Sequence, residues 1–95
     1  MRMKLTGQHV AITDSIRDYV AERFTRLDRH LAMTKSAHIV LTTKKSNIIA
    51  RAKLHTKNGK VVATCENENM QTAIESMVTK LCRQLSKKRD KSRLA

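Results

Sequence analysis

The sequence predicts an α+β fold in the order β-α-β-β-β-α, with two helices packed on one face of a four-stranded sheet. Two segments, one near each end of the chain, repeat apolar residues at helical spacing. Three shorter segments between them alternate apolar and polar residues, which is typical of half-buried strands. An Asn58-Gly59 pair separates the last two strands, and both residues tolerate the positive φ of a type I′ hairpin.

The first half of the fold is predicted to be a short strand, residues 3–8, followed by a helix over residues 14–31. Thr13 is well placed to cap this helix. Arg23 and Arg26 flank its apolar stripe. The stripe consists of Ile16, Val20, Phe24, Leu27 and Leu31.

Three further strands are predicted. The second strand covers residues 37–43 and ends in a Lys44-Lys45-Ser46 turn. A right-handed crossover should make it parallel to the first strand. The next strands place small and apolar residues inward from Ile48 to Leu54 and from Val61 to Cys65.

The predicted hairpin fixes an expected register and an expected open face. With Asn58-Gly59 as the loop, Leu54 lies opposite Ala63, and Arg51 lies opposite Glu66. The sheet face that the helices leave uncovered should then be polar and open to solvent. It carries His38, Thr42, Arg51, Lys53, His55 and Thr64.

The last helix, residues 69–91, combines an apolar face with a cationic stripe. Asn69 is its predicted cap, and Leu81 lies at the centre of the apolar arc. The topology makes both helices run in the same direction, so the arginines of the first helix can lie beside the stripe. The cationic stripe lies within an arc of roughly 80° and consists of Lys80, Arg83, Lys87 and Lys91. Lys88 and Arg89 add charge at the C-terminal end of the same helix.

The composition indicates a polyanionic partner. The chain has 95 residues, enough for one domain, and a formal charge of +12 from 20 Lys plus Arg against 8 Asp plus Glu. Nucleic acid fits this charge best, and an anionic membrane surface comes second. No apolar run is long enough to span a bilayer, and the N-terminus lacks a signal-peptide core, so we expect a cytoplasmic protein without a membrane partner.

The aromatic content narrows the expected mode of binding. Tyr19 and Phe24 are the only aromatic residues, and both lie on one predicted helix, so the chain has almost no rings on which exposed bases could stack. If it binds RNA, it should contact folded RNA through phosphate, sugar and shape.

No catalytic, metal or cofactor site is predicted. The four histidines are scattered, and with Cys65 and Cys82 they show no metal-ligand spacing. Both cysteines are expected to be small core residues in a reducing cytosol. The chain also lacks a nucleophile–base arrangement and a Gly-rich phosphate loop, so we expect no enzyme activity and no cofactor.

Two segments carry a family resemblance: LTGQHVAITDSIRDYVAERF at residues 5–24 and NENMQTAIESMVTKLCRQLSKKRDK at residues 67–91. Together with the element order they resemble the ribosome hibernation promoting factor family. The resemblance implies a bacterial-type protein that occupies the mRNA and tRNA channel of the small ribosomal subunit and silences translation in stationary phase. Short members act with ribosome modulation factor to form ribosome dimers, and this chain ends too soon for the C-terminal domain of long members. It departs from the family at Asn69, where an aspartate is frequent.

The residues expected to contact rRNA of the small subunit are those of the two helices, and we expect the protein to be a monomer off the ribosome. The turn lysines Lys44, Lys45, Lys57 and Lys60 are interpreted as solvated. A double-stranded-RNA-binding module and a permanent structural ribosomal protein remain alternatives, with an RNA-directed enzyme the least favoured. The predicted RNA-binding residues are Arg23, Arg26, Lys80, Arg83, Lys87, Lys88, Arg89 and Lys91.

Overall fold

The computed structural model describes residues 2–31, 34–57 and 59–94, with side chains described in these ranges except at 28–31 and 88–94. The observed order is the predicted β-α-β-β-β-α. The last three strands are longer than predicted, because backbone pairing between them continues into the predicted turns. The elements are β1 (Arg2–Gln8), α1 (Asp14–Leu31), β2 (Thr34–Lys44), β3 (Asn47–Thr56), β4 (Gly59–Asn67) and α2 (Met70–Leu94).

The four strands form one mixed sheet in the order β1-β2-β3-β4. As predicted, β1 pairs parallel with β2, and Met3 lies opposite Ala37. Parallel neighbours need a long crossover, which α1 supplies. The other two pairs are antiparallel. The Lys45-Ser46 turn joins β2 to β3, with Lys45 at a φ of 57°.

The predicted β3–β4 register is wrong by two residues. Leu54 lies opposite Val61, and Arg51 lies opposite Thr64 rather than Glu66. Thr56 pairs with Gly59, so Gly59 belongs to β4 and not to the predicted two-residue loop. The other residue of that loop, Asn58, lies outside the described residues. A slip of two residues leaves every side chain on its original face, so the apolar pattern could not distinguish the two registers.

Both helices pack on the same face of the sheet. The core between them contains side chains from both helices and from β2, β3 and β4. Phe24 of α1 and Leu81 of α2 are fully buried, and each such side chain contributes about 1.5–3 kcal/mol by leaving water. Small inward residues leave room for them, as predicted. These are Ala50, Ala52 and Ala63 of β3 and β4.

The predicted caps begin both helices. The Thr13 hydroxyl accepts a hydrogen bond from the Ile16 amide at 3.2 Å, and the Asn69 side-chain oxygen accepts one from the Thr72 amide at 3.1 Å. Each cap satisfies an amide that the first helical turn leaves unpaired. Gly7 has a separate role, because a Cβ there would collide with the Val10 carbonyl oxygen as the chain folds back over β1.

Candidate nucleic-acid interface

A groove of about 340 Å³ runs between the two helices and carries three arginines. Arg23 contacts Glu75 near the start of α2, while Arg26 faces the later Arg83, so the helices run in the same direction, as predicted. The bottom of the groove includes the buried Leu27, and its two sides bring the α1 arginines close to the last helix. The lining residues are Arg23, Arg26, Leu27, Val78, Thr79, Cys82 and Arg83.

Arg23 is held by a cluster that joins the helices. Its guanidinium donates to the Glu75 carboxylate at 2.7 Å, and the Tyr19 hydroxyl donates to the same oxygen at 2.6 Å. The guanidinium also lies 5.1 Å from the centre of the Tyr19 ring. Burial, and then the hydrogen bond to Glu75, raise the pKa of Tyr19 above 10.0. The charge of Arg23 is therefore partly compensated within the protein.

Arg26 is also paired, but more weakly. Its guanidinium lies 2.9 Å from Glu22 one helical turn earlier, with side chains 61% and 60% exposed. Such exposed pairs contribute about 0.3–0.5 kcal/mol. A phosphate can displace Glu22 at this small cost, so Arg26 remains available to a polyanion.

Among the predicted residues whose side chains the structure describes, Arg83 and Lys87 are the least compensated. Both are exposed, and neither has an ion-pair partner among the residues whose side chains are described. Arg83 lies at the groove, where it adds its charge to those of Arg23 and Arg26. The part of the predicted surface that the structure brings together consists of Arg23, Arg26 and Arg83.

Lys80 lies apart from that groove. Its ammonium donates to the Thr64 carbonyl at 3.1 Å, and Gln84 donates to the Val62 carbonyl at 2.9 Å. The two side chains cover backbone acceptors on β4, a strand at the edge of the sheet. Lys80 therefore reaches the edge of the sheet, although it lines a shallow concavity on α2 together with Arg83. Lys88, Arg89 and Lys91 lie on the helical backbone of α2, and their side chains are outside the described residues.

The two cysteines have different surroundings. Cys65 is buried, as predicted, whereas the prediction of a core position for Cys82 is wrong because its side chain is exposed. Cys82 lines the groove between the helices, which α1 does not close. A position at the margin of an apolar stripe is buried only when a neighbouring element reaches it.

The predicted RNA-binding residues do not include the open face of the sheet, which the sequence predicts to be polar. Arg51 and Lys53 of β3 are both exposed there, and Lys4 of β1 joins them across His38. The signal was present in the alternation of the strands, whose outward positions repeat cations. The cations can be recognised as one group only when β1 is placed beside β2, because that pairing brings Lys4 into the same row as Lys53.

The described residues contain neither a metal-binding cluster nor a helix that could cross a membrane. No group of three or more His, Cys, Asp or Glu side chains there could hold a metal ion. None of the helical segments described combines the length and hydropathy that a membrane crossing requires.

Comparison with known proteins confirms the family resemblance. Residues 3–93 match the family model described as sigma 54 modulation protein / S30EA ribosomal protein. Ribosome hibernation promoting factor of Klebsiella oxytoca is 37% identical over 91 residues, which cover 96% of each chain. The Escherichia coli K12 protein of the same name is 33% identical over 91 residues, with the same coverage of both chains.

Solved structures agree with this assignment. The N-terminal domain of Thermus thermophilus Protein Y superposes with a TM-score of 0.85 at 32% identity, over 92% of this chain and 98% of that one. A ribosomal subunit interface protein from Coxiella burnetii shares the fold, with a TM-score of 0.89 at 24% identity over 95% and 99% of the two chains. The chain therefore belongs to the sigma 54 modulation protein / S30EA ribosomal protein family, together with the ribosome hibernation promoting factors.

Proposed function

We propose that this protein is a ribosome hibernation factor that binds rRNA of the small ribosomal subunit in the channel used by tRNA and mRNA. Bound there, it inhibits translation in stationary phase and, with ribosome modulation factor, promotes inactive ribosome dimers. The carrying observation is the similarity to ribosome hibernation promoting factors along 96% of the chain. Residues 1–95 act as one ribosome-binding domain, which is cytoplasmic and monomeric off the ribosome.

The charge distribution supports RNA as the direct ligand. The net charge is +12, and Arg83 and Lys87 are exposed on α2 without an ion pair to any described side chain. Arg26 needs to release only an exposed Glu22. Each cation that meets a phosphate releases counterions from the RNA, so these side chains supply affinity without reading sequence.

The aromatic residues support recognition by backbone and shape. Phe24 is fully buried, while the Tyr19 hydroxyl is bonded to Glu75 and its ring faces Arg23. Neither ring is presented as a platform for an unstacked base. The domain is therefore suited to folded rRNA, and it inhibits by occupying space and phosphates that tRNA and mRNA would otherwise use.

Binding to separated ribosomal components tests this proposal. Labelled protein is titrated with purified small subunits, large subunits and a plain RNA duplex at several salt concentrations. We expect preference for small subunits, with log K falling against log salt at a slope of roughly −4 to −5 for six phosphate contacts. Equal affinity for the plain duplex would instead indicate a general double-stranded-RNA-binding module. A flat salt dependence would contradict the electrostatic interface.

A further inference from the structure

The open sheet face, on the side of the sheet opposite the helices, carries a second group of cations that the helix surface does not include. Strand pairing arranges them in rows. Lys4 lies beside His38, and His38 lies beside Lys53. In the next row His55 lies beside Lys60. The basic and imidazole side chains of this face are Arg2, Lys4, His38, Arg51, Lys53, His55 and Lys60.

These charges are close enough to repel one another. Lys4 and Lys53 are two strands apart, about 9–10 Å, which is near the screening length at 0.1 M salt. Arg51 and Lys53 alternate on one strand, roughly 7 Å apart. The acid that shares this face is Glu66, which lies beside Ile49 and accepts a hydrogen bond from Asn47 at 2.7 Å. No described carboxylate pairs with the cations of the other rows.

The shape of this face suits an extended polar chain. A concavity of about 450 Å³ crosses the middle strands, with exposed Arg51 and Lys53 beside half-buried Val40 and Ile49. Thr42 and Thr64 also line it, so hydroxyls stand among the charges. Tyr19 and Phe24 both lie on α1, so this face has no phenyl, phenol or indole ring for base stacking.

We propose that the open sheet face is a second RNA-binding surface. It binds the sugar–phosphate backbone of one RNA segment while the helix surface binds that of another segment. This inference rests on the proposed function, since it takes rRNA as the ligand. Arg and Lys meet phosphates, the threonine hydroxyls and imidazoles reach ribose 2′-hydroxyls, and Val40 and Ile49 contact the sugars. The partner is RNA because the face joins a row of cations to hydroxyl groups, and among the described residues it exposes one large apolar side chain, Val62, which is too little for insertion into lipid.

The two surfaces act separately. They lie on opposite sides of the molecule, whose shortest Cα dimension is 17 Å. This exceeds the screening length of about 8 Å at physiological salt, so a charge removed from one face is largely screened from the other. Substitutions on the two faces should therefore have additive effects on the binding free energy. The domain then bridges two RNA segments instead of resting against one.

Three matched double variants test the bridge, each removing two positive charges. Arg51→Gln/Lys53→Gln alters the sheet face, and Arg83→Gln/Lys87→Gln alters the helix surface. Lys45→Asn/Lys57→Gln is the control, in turns at opposite ends of β3. Asparagine is chosen at position 45 because the φ there is 57°. Affinity for purified small subunits is measured across salt concentrations.

The sheet variant should reduce the steepness of the salt slope by roughly 1.4–1.8 units, which corresponds to about 25- to 60-fold weaker binding at 0.1 M salt when extrapolated from 1 M. The helix variant should show a similar loss of affinity. The variant that combines both pairs should show the product of the two fold-losses, and the control should remain within about twofold of the wild-type affinity. Thermal unfolding confirms that each variant is folded. If the sheet variant unfolds, Lys4→Gln/Lys60→Gln on the outer strands replaces it.

The outcomes separate this inference from the proposed function. If the sheet variant binds like the control while the helix variant is weakened, the second surface is refuted and the function stands. If all three variants bind like wild type, the proposed helix interface fails as well. If the sheet variant loses binding to phosphatidylserine vesicles but keeps its affinity for small subunits, the face belongs to a membrane surface and the inference is wrong.

Discussion

Replacing Glu75 with glutamine should make the protein less stable and its ribosome binding tighter. Glu75 accepts hydrogen bonds from both Tyr19 and Arg23, and so joins α2 to α1. It also compensates the charge of Arg23 at the margin of the proposed RNA surface. Glutamine keeps the shape and one acceptor oxygen but removes the negative charge. The two effects therefore have opposite signs and can be measured separately.

The cost to folding follows from the exposure of the cluster. The side chains of Arg23 and Glu75 are 34% and 51% exposed, so their pair contributes at the level of a surface ion pair, about 0.2–1 kcal/mol. Replacing the charge-assisted bond from Tyr19 with a neutral one costs a further fraction of a kcal/mol. A loss of about 1 kcal/mol lowers Tm by roughly 4–8 °C in a domain of this size.

The gain in binding follows from the release of Arg23. One additional phosphate contact makes the salt slope steeper by about 0.7–0.9, which is roughly five- to eightfold in affinity at 0.1 M salt by extrapolation from 1 M. Thermal unfolding and a salt titration against small subunits measure the two effects. Asp18→Asn, which removes an exposed charge from α1 without touching the cluster, is the control.

Two results would refute this reasoning. Unchanged affinity in the Glu75 variant, despite the expected fall in Tm, would show that Arg23 does not reach RNA. An equal gain in affinity for Asp18→Asn would show that net charge alone is responsible, with no local role for the cluster.

Two further predictions concern the fold. Leu81 is fully buried, so Leu81→Ala should destabilise the domain by about 2–5 kcal/mol. Cys82 is its exposed neighbour, so Cys82→Ala should change the free energy of unfolding by no more than about 0.5 kcal/mol. Equal Tm values for the two variants would contradict the docking of α2. The chain has one tyrosine, so phenolate absorbance reports Tyr19 alone, and its pKa should exceed 10.0 through burial and the Glu75 bond. Because the unfolded phenol ionises first, the stability that the protonated Tyr19 contributes is complete below pH 10.0 and declines as pH rises through the folded pKa. A midpoint at or below 10.0 would contradict the raised pKa.

The order of elements, the helix caps and the faces of the strands could all be predicted from the sequence, because each depends on local pattern. Thr13 and Asn69 act within three residues of the amides they cap. The register of β3 and β4 could not be predicted, because slipping by two residues preserves the faces. Arg51 consequently lies opposite Thr64, where the sequence suggested Glu66.

The candidate site was predictable in composition but not in arrangement. The stripe on α2 could be listed, but which of its cations face α1 depends on how the helix is rotated about its axis. That rotation places Arg83 at the groove and turns Lys80 toward Thr64 of β4. The pair of Arg23 and Glu75 joins residues 52 positions apart, a separation at which local periodicity carries no information.

Competition with tRNA and mRNA tests the central claim most directly. Small subunits loaded with labelled protein are challenged with excess initiator tRNA and mRNA, and the bound fraction is followed by filtration or sedimentation. A protein that occupies the tRNA and mRNA channel should be displaced, and its apparent Kd should rise in proportion to the competitor. If protein and tRNA instead bind the same subunit without weakening each other, the protein does not occupy that channel.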